Sequence, residues 1–264
     1  VAAASGGRMT EPAVVEALGE DGEDVSQDVG TPSRASKLDE SRRAEASLAN
    51  YESFVASPGI KCPRCWLMTR HCCCAGFPQL DLRPRVVVLF HHRELGRHLA
   101  SNTAKLLLLL GAELVAWGVE AHEQRFLRLI EEDPGGTAIL FPGPGAVTAA
   151  ELAAGTTAGA AEKLRLIVVL DGGWRECKHM NEWIDPQIRR CVVTTATREE
   201  YGGTRKYGPS SDAGAPVAGR VQTAAAFAAL LEELGEDAAH VAAVKAGIRH
   251  YMECYEAQIC RSKT

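Results

Sequence analysis

Four cysteines within thirteen residues, Cys62, Cys65, Cys72 and Cys74, constrain what this chain can fold into more than any other feature. A C-x-x-C turn points two thiolates at one ion, and a second close pair completes a tetrahedron, as in structural zinc sites. Cys73 is a fifth thiol in the same run and His71 offers an imidazole in place of a sulfur. Disulfide or thiol-redox chemistry at Cys62 and Cys65 is the competing reading. Four bound thiolates leave no open position for water or substrate, so the cluster reads as a structural clamp and chemistry has to be sought elsewhere.

The chain has 264 residues, 46% of them hydrophobic, which suits one globular core with appendages. Nine cysteines are an odd number, and no apolar segment follows a basic start, so a secreted disulfide framework is not expected. The apolar run at residues 106–110 is far too short to cross a bilayer, and no other run approaches the required length. These features point to an intracellular protein of cytoplasm or nucleus with no membrane partner. The acidic N-terminus is unlike a transit peptide, and the eight residues before Met9 read as a cloning remnant. The net charge of -5 does not announce a nucleic-acid binder, although a sum over the whole chain hides local patches.

Residues 1–45 read as a disordered acidic tail, because their scattered apolar positions cannot offset the entropy of ordering them. Residues 46–84 follow as a lead-in helix, drawn from residues 41–54, and the cysteine module. Residues 85–264 form an α/β domain. Within it, residues 85–90 (Arg-Val-Val-Val-Leu-Phe), 138–141, 164–170 and 191–195 are expected strands; 85–90 lacks polar alternation, as a strand covered on both faces does, and 164–170 reads as buried. Expected helices cover residues 103–110, 126–132, 174–180, 223–234 and 240–259. Strands alternating with helices predict a mostly parallel sheet, whose ligands bind beyond the carboxyl ends of the strands.

That rule gathers three segments on one rim: His91-His-Arg-Glu94, Phe141-Pro142-Gly143 and Asp171-Gly172-Gly173-Trp174. By itself the last reads first as an aspartate capping the next helix and a tryptophan filling core. The functional alternative is a carboxylate facing a cleft, glycines admitting a ligand to the backbone, and an indole for stacking. His91 and Glu94 equally suit a ligand or a helix start, and Asn102 and Thr103 read as caps. Arg205 and Lys206 lie in a Gly-, Pro- and Ser-rich stretch, residues 201–220, where they suit a phosphate backbone as well as a solvated face.

Taken in order, the cysteine cluster, the His-acid loop, Asn102-Thr103, the Phe-Pro-Gly turn and Asp171-Gly-Gly-Trp174 resemble the DTW-domain family of tRNA-uridine aminocarboxypropyltransferases. The resemblance implies a SPOUT-like knotted α/β fold. It implies S-adenosylmethionine as cofactor and tRNA as partner, with Asp171 as the catalytic carboxylate. His91, Glu94, Phe141, Pro142, Gly143, Gly172, Gly173, Trp174 and Thr223 would hold the cofactor, and Arg205 and Lys206 would contact RNA. Zinc would sit on Cys62, Cys65, Cys72 and Cys74. Two positions depart from the family pattern: Gly173 stands where Thr is expected, and Gln222-Thr-Ala-Ala-Ala226 keeps the threonine but lacks the acid. A zinc-containing RNA-binding homologue with little turnover, or a transferase acting on ribosomal RNA, are the alternatives.

Overall fold

The computed structural model describes residues 34–78, 80, 82, 84–143, 145–154, 164–194 and 222–261. Its strands are β1 Arg85–His91, β2 Glu113–Trp117, β3 Thr137–Leu140, β4 Val147–Thr148, β5 Leu166–Asp171 and β6 Arg189–Val192. They form one sheet in the order β2-β1-β5-β3-β6-β4, and every neighbouring pair is parallel. The helices are α1 Arg34–Ala56, α2 His92–Arg97, α3 Lys105–Leu109, α4 Glu120–Glu131, α5 Ala149–Ala154, α6 Trp174–Trp183, α7 Thr223–Glu233 and α8 Ala238–Arg261. None of the described helices is long and apolar enough to cross a membrane.

The central strands owe their position to burial on both faces. In β5, Ile167 and Val169 join the core that contains Phe227, Leu230, Val244 and Ile248 of α7 and α8, while Leu166, Val168 and Leu170 pack with Phe126 of α4 and Met180 of α6. Each such side chain contributes about 1.5–3 kcal/mol by leaving water. The period of two then fixes the face of the next residue. Asp171 falls in step with Ile167 and Val169, on the α7 side, and pairs in register with Phe90 of β1.

The parallel α/β sheet expected from the sequence is present, with several boundaries corrected. The first helix starts at Arg34, so residues 34–45, assigned to a disordered tail, are helical; residues 1–33 lie outside the described residues. The strand expected at 191–195 is Arg189–Val192, and the helices expected at 103–110 and 126–132 are Lys105–Leu109 and Glu120–Glu131. Strand β2 was not anticipated. It lies at the sheet edge with Glu113, Leu114 and Trp117 half-buried, so it lacks the continuous apolar run that marks β1 and β5.

The cysteine module is joined to the end of the chain. Met68 N–H donates to the Gln258 side chain over 2.7 Å, and Phe77 lies against Gly247 of α8.

Candidate active site and cysteine cluster

Asp171 ends β5 and is 7% exposed. Its Oδ2 accepts a 2.6 Å hydrogen bond from Asn102 Nδ2, and its Oδ1 accepts one of 3.1 Å from Thr223 Oγ1, on the first residue of α7. The same Asn102 amide donates to Glu94 Oε2 at 3.1 Å, and Asn102 Oδ1 accepts from Lys105 N–H at 3.3 Å. With Oδ1 committed to a donor, the amide nitrogen necessarily faces the two carboxylates. Thr103 Oγ1 accepts from Ala224 N–H at 3.5 Å, a second tie between this loop and α7. Glu94, Asn102, Asp171 and Thr223 therefore converge from four separate segments on the rim where ligands of parallel sheets bind.

Asp171 does not cap the following helix. The N-cap position of α6 is Gly173, which makes no side-chain cap bond. Trp174 is not core either: it is 38% exposed and stacks on Phe141, with ring centroids 5.3 Å apart. Gly172 lies against His91, and a Cβ there would come within 3.1 Å of the His91 side chain. Among the described residues nothing lies within 4 Å of where a Cβ on Gly143 would stand, just after Pro142 and beyond the end of β3. A Cβ on Gly173 would meet the Glu176 carboxylate, which pairs with Arg93 at 3.2 Å. Glu176 thus occupies the room that a threonine side chain would need. The lost acid falls at Ala225, which is buried in α7.

His91 is buried at the N-cap of α2, where its Nδ1 accepts from Arg93 N–H at 3.3 Å. Burial, reinforced by the neighbouring His92, pulls its pKa down to about 4, so the ring is neutral at physiological pH. His91 itself therefore presents no positive charge to a cationic ligand.

In the cysteine module, Cys62 and Cys74 Sγ are 3.7 Å apart, Cys65 and Cys72 Sγ 3.8 Å, and all four sulfurs lie within 4.8 Å of one another. Four thiolates at zinc–sulfur distances of about 2.3 Å in a tetrahedron would be separated by about 3.8 Å, so the set fits zinc. A small antiparallel turn builds it. Lys61 bridges Met68, Cys62 N–H donates to Leu67 carbonyl at 2.7 Å, and Trp66 adopts a left-handed φ of 59° just after Cys65. Cys73, the fifth thiol, is buried in the core rather than in this set. Hydrogen bonds from Cys73 and Cys74 hold the Cys65 thiol far below its ordinary range, while Cys65 pushes both of those upward. Packed thiols of this kind ionise together only when a cation neutralises them.

The sequence singled out Asp171, Glu94 and Thr223, and the structure brings them together; it read Asn102 as a cap and missed that its amide joins them. Lys105, also missed, is fully buried, and burial pulls its pKa to about 7 against the opposing pull of the Cys65 and Cys73 sulfurs. Its one sequence signal is a lysine placed directly before five leucines. Arg205 and Lys206 lie outside the described residues.

A parallel α/β domain with polar residues at its strand ends and a thiol-rich clamp is the class that this geometry defines. The DTW domain model matches residues 59–258, and the chain belongs to the DTW domain family, which is linked to tRNA modification. No curated protein and no solved structure matches it.

Proposed function

We propose that this protein transfers the 3-amino-3-carboxypropyl group of S-adenosylmethionine to a uridine in tRNA. The observation that carries the reading is Asp171, held by Asn102 and Thr223 at the carboxyl end of β5 inside a DTW domain. S-adenosylmethionine supplies a sulfonium-activated carbon; its carbon–sulfur bond breaks as a carbon–nitrogen bond forms at the uridine imide, releasing methylthioadenosine and one proton. Asp171 is suited to receive that proton or to orient the base, because Asn102 and Thr223 hold its carboxylate in a fixed orientation at the carboxyl end of β5.

The remaining rim fits the cofactor. The open side of Gly143 leaves the backbone approachable, Gly172 and Gly173 belong to the set assigned to the cofactor although His91 and Glu176 lie against them, and Trp174, stacked on Phe141, suits an adenine ring. Neutral His91 avoids repelling a sulfonium, and Glu94 with Asp171 supplies negative charge near it. Pro142 and Thr223 complete the set assigned to the cofactor, while Arg205 and Lys206 are assigned to tRNA phosphates. Zinc is the metal proposed for Cys62, Cys65, Cys72 and Cys74. Insertion of β5 between β1 and β3 in a wholly parallel sheet supports the SPOUT-type knotted topology as part of the same reading.

Incubation of the purified protein with unmodified tRNA and S-adenosylmethionine, followed by nucleoside mass spectrometry, tests the reading. The expected result is a uridine heavier by one aminocarboxypropyl group. The absence of a threonine at Gly173 and of an acid at Ala225 favours one rival, an RNA-binding homologue without turnover. It is supported by salt-dependent tRNA binding with no product. Product in ribosomal RNA alone would move the acceptor class.

A further inference from the structure

We infer that Lys105 is a positioning residue through which the cysteine module sets the Asn102–Asp171 hydrogen bond; only its kinetic readout rests on the transferase reading. An ammonium group removed from water is costly unless carbonyls and aromatic faces replace the solvent. Lys105 has both. Its Nζ donates to the carbonyls of Leu99 at 3.2 Å and Ala100 at 2.8 Å, and lies 5.2 Å from the Trp66 ring centroid and 5.1 Å from that of Tyr251.

Each partner belongs to a different part of the molecule. Trp66 is the residue after Cys65, held in the thiol-rich turn by its N–H bond to the Cys62 carbonyl at 2.9 Å. Tyr251 is on α8 and its hydroxyl donates to the same Ala100 carbonyl. Leu99 and Ala100 lead into Asn102. One buried amino group, held by two carbonyls and set against two aromatic rings, thus fastens the module and α8 to the loop that delivers the Asn102 amide, two residues beyond Ala100. At the backbone end, Lys105 N–H fixes Asn102 Oδ1. A metal ion that rigidifies the turn holding Trp66 would therefore steady Asp171 without approaching it.

Lys105→Met keeps length and apolar bulk and removes the amino donors; Lys105→Arg keeps donors at the end of the side chain. In the full-length, zinc-loaded protein, the Asn102 side-chain amide is followed by nitrogen-15 NMR, assigned by its loss in Asn102→Ala. The parent is expected to protect this amide from exchange. Lys105→Met should reduce the protection about tenfold or more while keeping one zinc per chain, and Lys105→Arg should restore part of it. Chelation of zinc from the parent should reduce it likewise. Where product forms, Lys105→Met should lower kcat about tenfold or more with the KM for tRNA within about twofold, because misplacement affects the reacting geometry rather than RNA grip. Full protection in folded Lys105→Met, or an Asn102 amide indifferent to chelation, overturns the inference. A parent with no transferase activity sinks the transferase reading, while the exchange measurements still decide the role of Lys105.

Discussion

Asn102 donates a 2.6 Å hydrogen bond to Asp171 across 69 residues of chain, and with the same amide nitrogen it reaches Glu94. Two carboxylates share one neutral donor, so the amide both orients Asp171 and keeps two negative groups apart. Asn102→Ala leaves a buried carboxylate short of a donor, which costs about 1–3 kcal/mol. The expected outcome is a matching loss in denaturant stability and a kcat lower by about tenfold to a hundredfold. Asn102→Asp should be worse, since it sets a third carboxylate beside the other two. An Asn102→Ala protein with parental stability and kcat would show that the hydrogen bond does nothing for the site.

Thr223 supplies the second donor to Asp171 from the start of α7. Thr223→Val preserves shape and removes the hydroxyl, so a loss of about 1 kcal/mol in stability and a several-fold fall in kcat are expected. Thr223→Ser should retain most of both. Equal behaviour of the valine and serine variants would assign Thr223 to packing alone.

The four sulfurs fit a tetrahedral ion, and α8 is anchored to the same module through Gln258. Elemental analysis is expected to find one zinc per chain. Chelation, or Cys62→Ser with Cys74→Ser, should lower the melting temperature by several degrees, since metal binding and folding of the module are one equilibrium. Full stability in the zinc-free protein, or a Cys62–Cys65 disulfide that forms readily in mild oxidant, would favour thiol-redox chemistry instead.

His91 carries a pH signature. Its pKa is lowered from 6.5 to about 4 by burial and by His92, so between those values the unfolded chain binds a proton that the folded chain refuses. Stability from this group is complete above pH 6.5 and is lost as pH falls toward 4. Acidification from pH 7.5 to 5 should remove about 2 kcal/mol through His91, read as the difference between the parent and His91→Gln in urea titrations. Identical pH dependence in the two proteins would contradict a buried neutral ring.

Much of the framework was legible in the chain because burial leaves a strong mark. The apolar runs of β1 and β5 could hardly be anything but covered strands, and Asp171 at the end of β5 followed from them. Edge strand β2 was hidden because only one side of it pairs. Asn102 was read as a cap because capping depends on neighbours in sequence, and its Oδ1 does accept from Lys105 N–H as a cap would; the bond to Asp171 depends on a strand 69 residues away. Spacing selected Cys74 over Cys73 as the fourth ligand, and the fold agrees, with Cys73 buried in the core instead. The lysine in the leucine run was overlooked because its compensation comes from Trp66 and Tyr251, which only the folded chain brings near it.

The central claim is that the Asp171 carboxylate handles the acceptor's proton or orients the acceptor base. Asp171→Asn keeps the size of the side chain and removes its charge, and it is best compared with the parent in single-turnover reactions with tRNA and S-adenosylmethionine, with cofactor binding measured by calorimetry. The expected result is cofactor affinity within a few-fold of the parent and product formation slower by about a hundredfold or more. Product at the parental rate from Asp171→Asn would contradict it.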